Sequence, residues 1–398
     1  VTIASNNADA TKAKVGDVVT LSITADETLS SAPVVTIDGN SATVIGTGPY
    51  SATYTMQAGD TEGALAFAID FSDAASNAGT QVTATTDAST VTFDETPPTL
   101  TSVSIASNNT DTTKAKVGDE ITLSITADEN LSSAPTVTID GNAATVTGTG
   151  PYSATYTMQA GDTEGTLAFA IDFSDEASNA GTQVTATTDA SAVVFDETLP
   201  TLTTVSIVSN NADTAKAKVG DEITLSITAD ETLIGSPVVT ILGNAAVVAG
   251  TGPYTATYTI QAADTDGIVP FTVDFSDATG NAGVQVTATT DSTQVDFDKT
   301  PPTLTAVTIA SDNTNTAFAK VGDEITVTFT ADEPLLASPT ATIDGNAATI
   351  AGSGAGPYTA TYTMQTGDNS GAVAFDWKFF LDAISSQKTF TGPANNFP

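Results

Sequence analysis

The sequence contains no arginine, no histidine and no cysteine. Histidine is the side chain best placed for acid–base chemistry at neutral pH, and cysteine and histidine form most zinc sites. Their absence excludes Ser-His-Asp and Cys-His catalysis and the usual zinc and haem sites. Carboxylate pairs could still hydrolyse glycosides, but no pattern in the sequence marks such a pair. We therefore expect a protein that is not an enzyme.

Positive charge is also scarce. The sequence has ten lysines and 47 acidic residues, which gives a net charge of −37. Phosphate binding needs clustered basic residues, so we expect no nucleic acid partner. The same repulsion disfavours anionic membrane surfaces, and no apolar run reaches the roughly 18 residues of a membrane helix, so no membrane insertion is expected. Cations are the natural counterpart of such a charge. The alternative is that the acidity only keeps a long, apolar-rich chain soluble.

What the sequence does contain is a repeat of 102 residues, the spacing that separates Gly16, Gly118, Gly220 and Gly322. Residues 46–63 reappear unchanged as residues 148–165. A period of this length corresponds to a whole domain rather than to one turn of a solenoid. We expect four domains, at residues 1–98, 99–200, 201–302 and 303–398.

Each repeat alternates between apolar and polar residues. Val19, Leu21 and Ile23 lie two apart with Thr or Ser between them, which is typical of a half-buried strand. Seven such short strands occur in the first repeat, separated by turn sequences such as that at residues 38–40. The pattern predicts an all-β protein, a tandem array of four immunoglobulin-like β-sandwich domains. The last domain is expected to be atypical at its C-terminal end.

Three motifs carry a resemblance to a known family. They are Phe-Asp-Glu-Thr-Pro-Pro-Thr-Leu at 93–100, Val-Gly-Asp at 15–17 and Asp-Ala-Thr-Gly-Asn at 277–281. In these motifs the chain resembles the bacterial Ig-like repeats of large surface adhesins and other extracellular repetitive proteins. The resemblance covers three repeats fully and the fourth as far as about Phe375. It implies an extracellular stalk or filament at the bacterial cell surface, often with calcium between modules.

The acidic residues predict metal sites between domains. Threading seven strands through each domain places its last residues beside two loops of the next domain. Ca²⁺ takes six to eight oxygen ligands, and carboxylates gathered there would otherwise repel one another. The predicted ligands are Asp94, Glu95, Asp128, Glu129, Asp175 and Asn179 at the first junction, Asp196, Glu197, Asp230, Glu231, Asp277 and Asn281 at the second, and Asp298, Asp332 and Glu333 at the third. Asp60 and Glu62 would assist at the first junction, as Asp162 and Glu164 would at the second. The alternative is that these residues are solvated turn formers.

The fourth repeat departs from the pattern after Phe375. The Asp-x-x-x-Asn loop gives way to a segment containing Trp377, and the final Phe-Asp-Glu-Thr is missing. An incomplete sandwich exposes a sheet edge, which invites a strand donated by another chain. Alternatively, the tail forms a cap of its own. Because Val1 already lies in strand-like sequence, we also expect a processed protein or a segment of a longer one.

These observations predict a stalk or spacer segment of an extracellular adhesin-like or fibrous surface protein, with calcium at its junctions. Its partners would be calcium ions and neighbouring domains of the same protein or other copies of itself. One alternative is a self-assembling filament subunit that uses strand donation. Another is a carbohydrate- or protein-binding module, although the recurring Phe and Tyr residues fall on inward positions. Lys12 and Lys14 are expected in an exposed loop.

Overall fold

The computed structural model describes residues 1–335, 337–380, 387–391 and 395–397, and every regular element among them is a β-strand. The strands form four successive β-sandwich modules, which confirms the predicted fold class. The chain divides into two compact units, Val1–Thr198 and Leu199–Pro398. The first unit holds the first and second modules, and the second unit holds the third and fourth. None of the described residues forms a helix with the length and apolar character that crossing a membrane requires.

The first module has ten strands. They are β1 (Thr2–Ser5), β2 (Lys12–Ala13), β3 (Val18–Ile23), β4 (Val34–Ile37), β5 (Asn40–Ser41), β6 (Thr43–Gly46), β7 (Tyr50–Thr55), β8 (Gly63–Ala64), β9 (Phe67–Asp70) and β10 (Thr92–Phe93). The second module repeats them as β11 (Leu100–Ser107), β12 (Lys114–Ala115), β13 (Glu120–Ala127), β14 (Thr136–Ile139), β15 (Asn142–Ala143), β16 (Thr145–Thr147), β17 (Tyr152–Thr157), β18 (Gly165–Thr166), β19 (Phe169–Asp172) and β20 (Val194–Phe195).

The third module contains β21 (Leu202–Ser209), β22 (Lys216–Ala217), β23 (Glu222–Ala229), β24 (Val238–Ile241), β25 (Asn244–Ala245), β26 (Val247–Ala249), β27 (Tyr254–Thr259), β28 (Gly267–Ile268), β29 (Phe271–Asp274) and β30 (Asp296–Phe297). The fourth contains β31 (Leu304–Ser311), β32 (Glu324–Ala331), β33 (Thr340–Ile343), β34 (Asn346–Ala347), β35 (Thr349–Ala351), β36 (Tyr358–Thr363), β37 (Gly371–Val373), β38 (Phe375–Phe380), β39 (Gln387–Thr391) and β40 (Asn395–Phe397).

The sheet order of the first module is that of an immunoglobulin-like sandwich. One sheet runs β1-β3-β7-β6, a second runs β5-β4-β9, and β10 lies between β2 and β8. β10 pairs in parallel with β2 and antiparallel with β8. This arrangement places the first, second, fifth and fourth of the seven main strands in one sheet, as in that fold. The second and third modules repeat the same three sheets.

The alternating residues meet in the core. In β3, Val19, Leu21 and Ile23 are buried while the residues between them are not. They pack with residues of the facing sheet such as Ile37 and Phe67. A strand exposes successive side chains on opposite faces, so period-two alternation puts one apolar face inside. Each module has its own cluster of this kind.

The turn at residues 46–49 requires glycine at its first position. Gly46 has φ 103°, and a Cβ built there would lie 2.4 Å from the carbonyl oxygen of Pro49. An L side chain would therefore be strained in its backbone and would also clash. The same arrangement recurs at Gly148 and Gly250.

The fourth module closes differently from the others. Gly371 pairs with Phe397 on β40, as Gly63 pairs with Phe93 in the first module. The chain's own residues thus line the edge at which a donated strand was predicted. Trp377 is fully buried, and its ring lies edge-on to Phe329 with 4.2 Å between ring centroids. The segment 381–386, where the Asp-x-x-x-Asn loop is missing, lies outside the described residues.

Candidate metal centre between the first and second modules

A loop of the second module lies against the first residues of the first module. Lys12 Nζ lies 2.8 Å from Glu176 Oε2, in an ion pair. Asn7 Nδ2 donates to the carbonyl of Ala177 at 2.8 Å. Lys14 Nζ donates to the carbonyl of Ser178 at 2.5 Å. The two lysines predicted to lie in an exposed loop are therefore contact residues, and the only sequence signal for this was the recurrence of Lys-Ala-Lys in the first three repeats.

The neighbouring module, rather than the loop itself, buries the acidic residue at the base of this loop. Asp175 is 0% exposed, whereas Asp73, at the same position of the first module, remains partly exposed. Both aspartates accept a hydrogen bond from an asparagine four residues later, at 2.8 Å in each case. Because the local structure is the same in both loops, the difference in burial comes from the packing between modules.

Three carboxylates converge at this junction. Asp94 follows β10 at the end of the first module, Glu129 follows β13, and Asp175 follows β19. One carboxylate oxygen from each lies within 4.8 Å of the others. Asn179 Nδ2 donates to the carbonyl of Asp94 at 2.9 Å and to Asp175 Oδ2 at 2.8 Å, which ties the two modules together beside the cluster. The ligand set thus combines residues from both modules.

The electrostatics of the cluster disfavour its fully charged form. Burial raises the pKa of Asp94, and the charges of Asp175 and Glu62 raise it further. Burial likewise raises the pKa of Glu129, with added repulsion from Asp94 and Asp175. Like charges held close together each make ionisation of the other harder. The cluster would therefore be stabilised by a bound cation.

Lys12, a basic group at this junction, is already engaged in an ion pair. The ion pair with Glu176 raises the pKa of Lys12, and the charge of Asp94 adds a smaller contribution. Lys12 donates to Glu176 rather than to the three carboxylates. It compensates only part of the negative charge at the junction.

Some predicted ligands of the first junction have other partners. Asp128 accepts hydrogen bonds from the amide and hydroxyl of Thr99, at 2.8 and 2.6 Å. Glu95 accepts from the amide of Gly59 at 3.0 Å. These two residues are outside the group of three converging carboxylates. Sequence position alone did not separate them from the three that converge.

Asp60 and Glu62, which were predicted to assist at the first junction, have different partners. Glu62 Oε1 accepts from the amide of Glu95 at 3.0 Å, and its charge contributes to the raised pKa of Asp94. Asp60 instead accepts from the hydroxyl of Tyr54 and the amide of Gln57, inside its own module. Asp162 repeats the bonds of Asp60, and Glu164 repeats those of Glu62.

The residues predicted for the second junction belong to different compact units. In the first unit, Asp196 accepts from the amide of Thr198 and Glu197 from the amide of Gly161. The others lie in the second unit, namely Asp230, Glu231, Asp277 and Asn281. Asp230 accepts from the amide and hydroxyl of Thr201, as Asp128 does from Thr99.

Asp277 opens the Asp-x-x-x-Asn loop of the third module. Burial acts to raise its pKa, but hydrogen bonds from Thr279 and Asn281 outweigh this effect and lower the pKa. Asn281 donates its amide to Oδ1 at 2.9 Å and its Nδ2 to Oδ2 at 2.9 Å. The loop therefore holds the aspartate in its ionised form.

The third predicted junction has a different composition. Asp332 accepts from the amide and hydroxyl of Thr303, and Asp298 accepts from the amide of Thr300. Lys299 stands where the earlier linkers have glutamate, and its Nζ donates to the carbonyl of Asp264 at 2.6 Å. Within the described residues, Asp298, Asp332 and Glu333 belong to no group of three converging carboxylates.

The first junction suits a hard divalent cation. Calcium binds oxygen ligands at about 2.3–2.6 Å, so oxygens that share one calcium lie no more than about 5 Å apart. The 4.8 Å limit that contains the three carboxylate oxygens meets this condition. All three donors are carboxylate oxygens, the ligand type that calcium prefers over nitrogen or sulfur.

Solved structures match the chain at low sequence identity. No protein-family model and no curated protein matches the chain. A crystal structure of a tetra-tandem repeat from the extending region of a large adhesion protein aligns with 100% of this chain and 98% of its own, at 18% identity and a TM-score of 0.35. The fibronectin(III)-like modules of Clostridium thermocellum CbhA align with 51% of this chain and 93% of their own, at 14% identity and a TM-score of 0.25.

Drosophila N-cadherin EC1-4 aligns with 94% of this chain and 92% of its own, at 11% identity and a TM-score of 0.25. Such low identities and scores do not transfer a function from any of these proteins.

Proposed function

We propose that this chain is a non-enzymatic spacer segment of an extracellular, adhesin-like or fibrous bacterial surface protein, and that calcium stiffens its module junctions. One observation carries the proposal: Asp94, Glu129 and Asp175 bring carboxylate oxygens within 4.8 Å of one another where two modules meet. The absence of histidine and cysteine and the tandem modules support a structural rather than a catalytic role.

A calcium ion would stiffen the junction because its ligands come from both modules. Asp94 belongs to the first module, while Glu129 and Asp175 belong to the second. Without a cation the three carboxylates repel one another. A cation bound by all three would remove this repulsion and link the two modules. Extracellular calcium modules have dissociation constants of about 10⁻⁴ to 10⁻³ M, so such a site would fill outside the cell.

Binding is tested by isothermal titration calorimetry of the full chain with calcium chloride. We expect that Asp175→Asn removes one calcium site, whereas Asp73→Asn leaves the number of sites unchanged. The two substitutions are matched, since both aspartates accept the same hydrogen bond from an asparagine four residues later. At 100 times its dissociation constant, calcium should stabilise the junction by about 2.7 kcal/mol. Equal calcium binding by the two variants would refute the site.

Stiffening is tested separately by a distance measurement between spin labels. The chain has no cysteine, so cysteines introduced at the exposed residues Thr43 and Thr145 can be labelled uniquely. These residues lie on β6 and β16, in the first and second modules. We expect calcium to narrow the distribution of label distances, and Asp175→Asn to abolish the narrowing. Binding without narrowing would retain the metal site but reject the stiffening role.

The structure gives less support to the filament alternative. Strand donation at the last module requires a free edge beside β37, but the chain's own β40 pairs with those residues.

A further inference from the structure

A surface cavity of about 260 Å³ opens in the second module beside the three converging carboxylates. One wall is formed by the end of β13 and the residues that follow it, as far as Asn130, and another by the turn at residues 149–151. Tyr152, the first residue of β17, completes the lining. Glu129 belongs both to this lining and to the carboxylate cluster. The cavity is therefore adjacent to the candidate metal centre.

The turn that forms one of the walls has a fixed shape. Gly148 has φ 95°, and a Cβ built there would lie 2.5 Å from the carbonyl oxygen of Pro151. Only glycine permits this backbone conformation together with so close an approach. Thr149 and Pro151 are exposed on the turn, where they offer a hydroxyl and an apolar ring. This wall is thus formed before any ligand arrives, as is usual for small-molecule sites.

The hydroxyl of Tyr152 lacks a hydrogen-bond partner among the described residues, although the residue is only 7% exposed. Its counterparts in the third and fourth modules, Tyr254 and Tyr358, each donate to a backbone carbonyl of their own module, at 3.4 and 2.7 Å. Within the described chain, the indole nitrogen of Trp377 is the one side-chain polar atom that is both fully enclosed and unpartnered. The hydroxyl of Tyr152 therefore reaches solvent, and a ligand in the cavity would satisfy it.

Asn130 offers a second polar side chain to the cavity. It is exposed, and no described residue forms a hydrogen bond with its side-chain amide. The first and third modules carry threonine at this position, Thr28 and Thr232, and the fourth carries Pro334. A side-chain amide both donates and accepts, so it can bind a hydroxyl group in either direction. The amide is thus a feature of the second module alone.

The chemistry of the lining defines a class of ligand. The carboxylates at the edge of the cavity repel an anionic ligand. The volume lies below the roughly 300–1,000 Å³ of sites for drug-sized molecules, so the cavity accommodates a single ring or side chain. The amide of Asn130 and the hydroxyls of Thr149 and Tyr152 can bind hydroxyl groups, and the ring of Pro151 can cover an apolar face. A neutral sugar ring combines these properties.

A bound calcium ion would favour the same ligand. Calcium takes six to eight oxygen ligands, and one oxygen from each of the three converging carboxylates fills only three of these positions. Two adjacent hydroxyl groups of a sugar are neutral oxygen donors, which suit a hard cation. A cationic ligand would instead compete with calcium for the carboxylates.

We propose that the cavity beside Glu129 is a saccharide-binding site. Two adjacent hydroxyl groups of one sugar ring complete the coordination of the junction calcium, while Asn130, Thr149 and Tyr152 bind the other hydroxyl groups of the ring. The inference rests on the calcium site of the proposed function. It adds a binding role for the second module to its role as a spacer.

The test uses the full chain and saturation-transfer difference NMR with the methyl glycosides of glucose, mannose, galactose and fucose. In saturating calcium we expect transfer to at least one glycoside, and chelation of calcium should abolish it. Tyr152→Phe removes only the hydroxyl and should weaken binding about fivefold, the usual effect of one neutral hydrogen bond. Asn130→Thr installs the residue of the first and third modules and should weaken binding similarly. Tyr156→Phe is the control and should leave the affinity unchanged, because that hydroxyl already donates to Asp162.

Calorimetry separates this inference from the proposed function. A calcium titration without saccharide reports on the junction alone, and Tyr152→Phe and Asn130→Thr should bind calcium as wild type does. No calcium binding by wild type would refute the proposed function itself. If calcium binds but no glycoside receives transfer at millimolar concentration, the saccharide site is overturned and the calcium site stands.

Other outcomes would also overturn the saccharide site. One is equal transfer to a glycoside in calcium and in chelator. Another is equal affinity of wild type and Tyr152→Phe. A third is binding of n-butylammonium in chelator that calcium reverses, with no glycoside bound in either condition, since this would identify a cationic ligand.

Discussion

At the scale of single residues, equivalent positions have different environments. Asp73 and Asp175 occupy the same loop position and accept the same local hydrogen bonds. Only Asp175 is covered by a preceding module, and only Asp175 joins a carboxylate cluster. The role of an acidic residue in this chain therefore depends on which module precedes it.

The raised pKa values of Asp94 and Glu129 predict a pH dependence in calcium-free buffer. A carboxyl whose folded pKa lies above its ordinary value, 3.8 for Asp94 and 4.5 for Glu129, destabilises the folded junction above the folded pKa. The cost fades as pH falls through the folded pKa and is absent below the ordinary value. We expect the junction to gain stability as pH is lowered from neutral through the folded pKa values of these two groups toward their ordinary values.

Urea unfolding of wild type and Glu129→Gln across this range measures the effect. The variant lacks one of the raised groups, so its stability should rise less than that of wild type. Asp128, whose pKa is lowered by its hydrogen bonds to Thr99, acts in the opposite sense, with loss of stability as pH falls through its folded pKa. Saturating calcium should reverse the trend, since protons compete with the metal. Identical pH profiles for both chains would contradict the prediction.

At the scale of elements, an aromatic ring packs on the backbone of a glycine in the loop that carries Asp175. The same packing recurs in other modules. A Cβ built on Gly181 would lie 2.3 Å from the ring of Phe173, which directly follows β19. The same close approach occurs between Gly79 and Phe71. The alternation of apolar residues predicted strand β19. Nothing in their spacing indicated that a glycine must lie against the ring of the phenylalanine that follows it. Close contacts of this kind depend on how the chain returns after the strand.

Gly181→Ala should therefore displace the ring of Phe173 and destabilise the second module by about 1–3 kcal/mol, the usual cost of overpacking. Thr182→Ala, at an exposed neighbouring residue, should change stability by no more than about 0.5 kcal/mol. Hydrogen exchange followed by mass spectrometry reports each module separately, which matters because a chain of modules does not unfold in two states. Unchanged protection in Gly181→Ala would show that the ring moves freely.

At the scale of the whole molecule, the two main features are the repeated module and the large negative net charge. Each of the four modules has a separate apolar core. A net charge of −37 spread over them opposes compaction through self-repulsion, which salt screens. Specific calcium binding and general screening must therefore be distinguished when any effect of calcium is measured.

We expect sodium chloride between about 0.01 and 1 M to raise the melting temperature of the full chain, because the Debye length falls from about 30 to about 3 Å. Millimolar calcium should raise the melting temperature further even in about 0.15 M salt, whereas the same concentration of magnesium should do so less. Magnesium dehydrates reluctantly and demands near-octahedral geometry. Equal effects of the two ions would indicate screening rather than a site.

The sequence alone determined the modular fold. Period-two alternation specifies which face of each strand is buried, and a repeat of 102 residues specifies that the same sandwich is built again. The two-residue strands such as β2, β5 and β8 were not predicted, because two residues cannot display a period. The sequence predicted all of these acidic residues as ligands. It did not distinguish Asp94, Glu129 and Asp175, which converge, from Asp128 and Glu95, which do not.

Only the tertiary structure decided which of these residues act together. Residues 46–63 and 148–165 are identical, yet Asp73 and Asp175, which follow these two segments, differ in burial. Burial of Asp175 follows from contacts between segments far apart in the chain, and such contacts leave no local pattern. A strand is specified by its own alternation, but a site between modules is specified only when two surfaces meet.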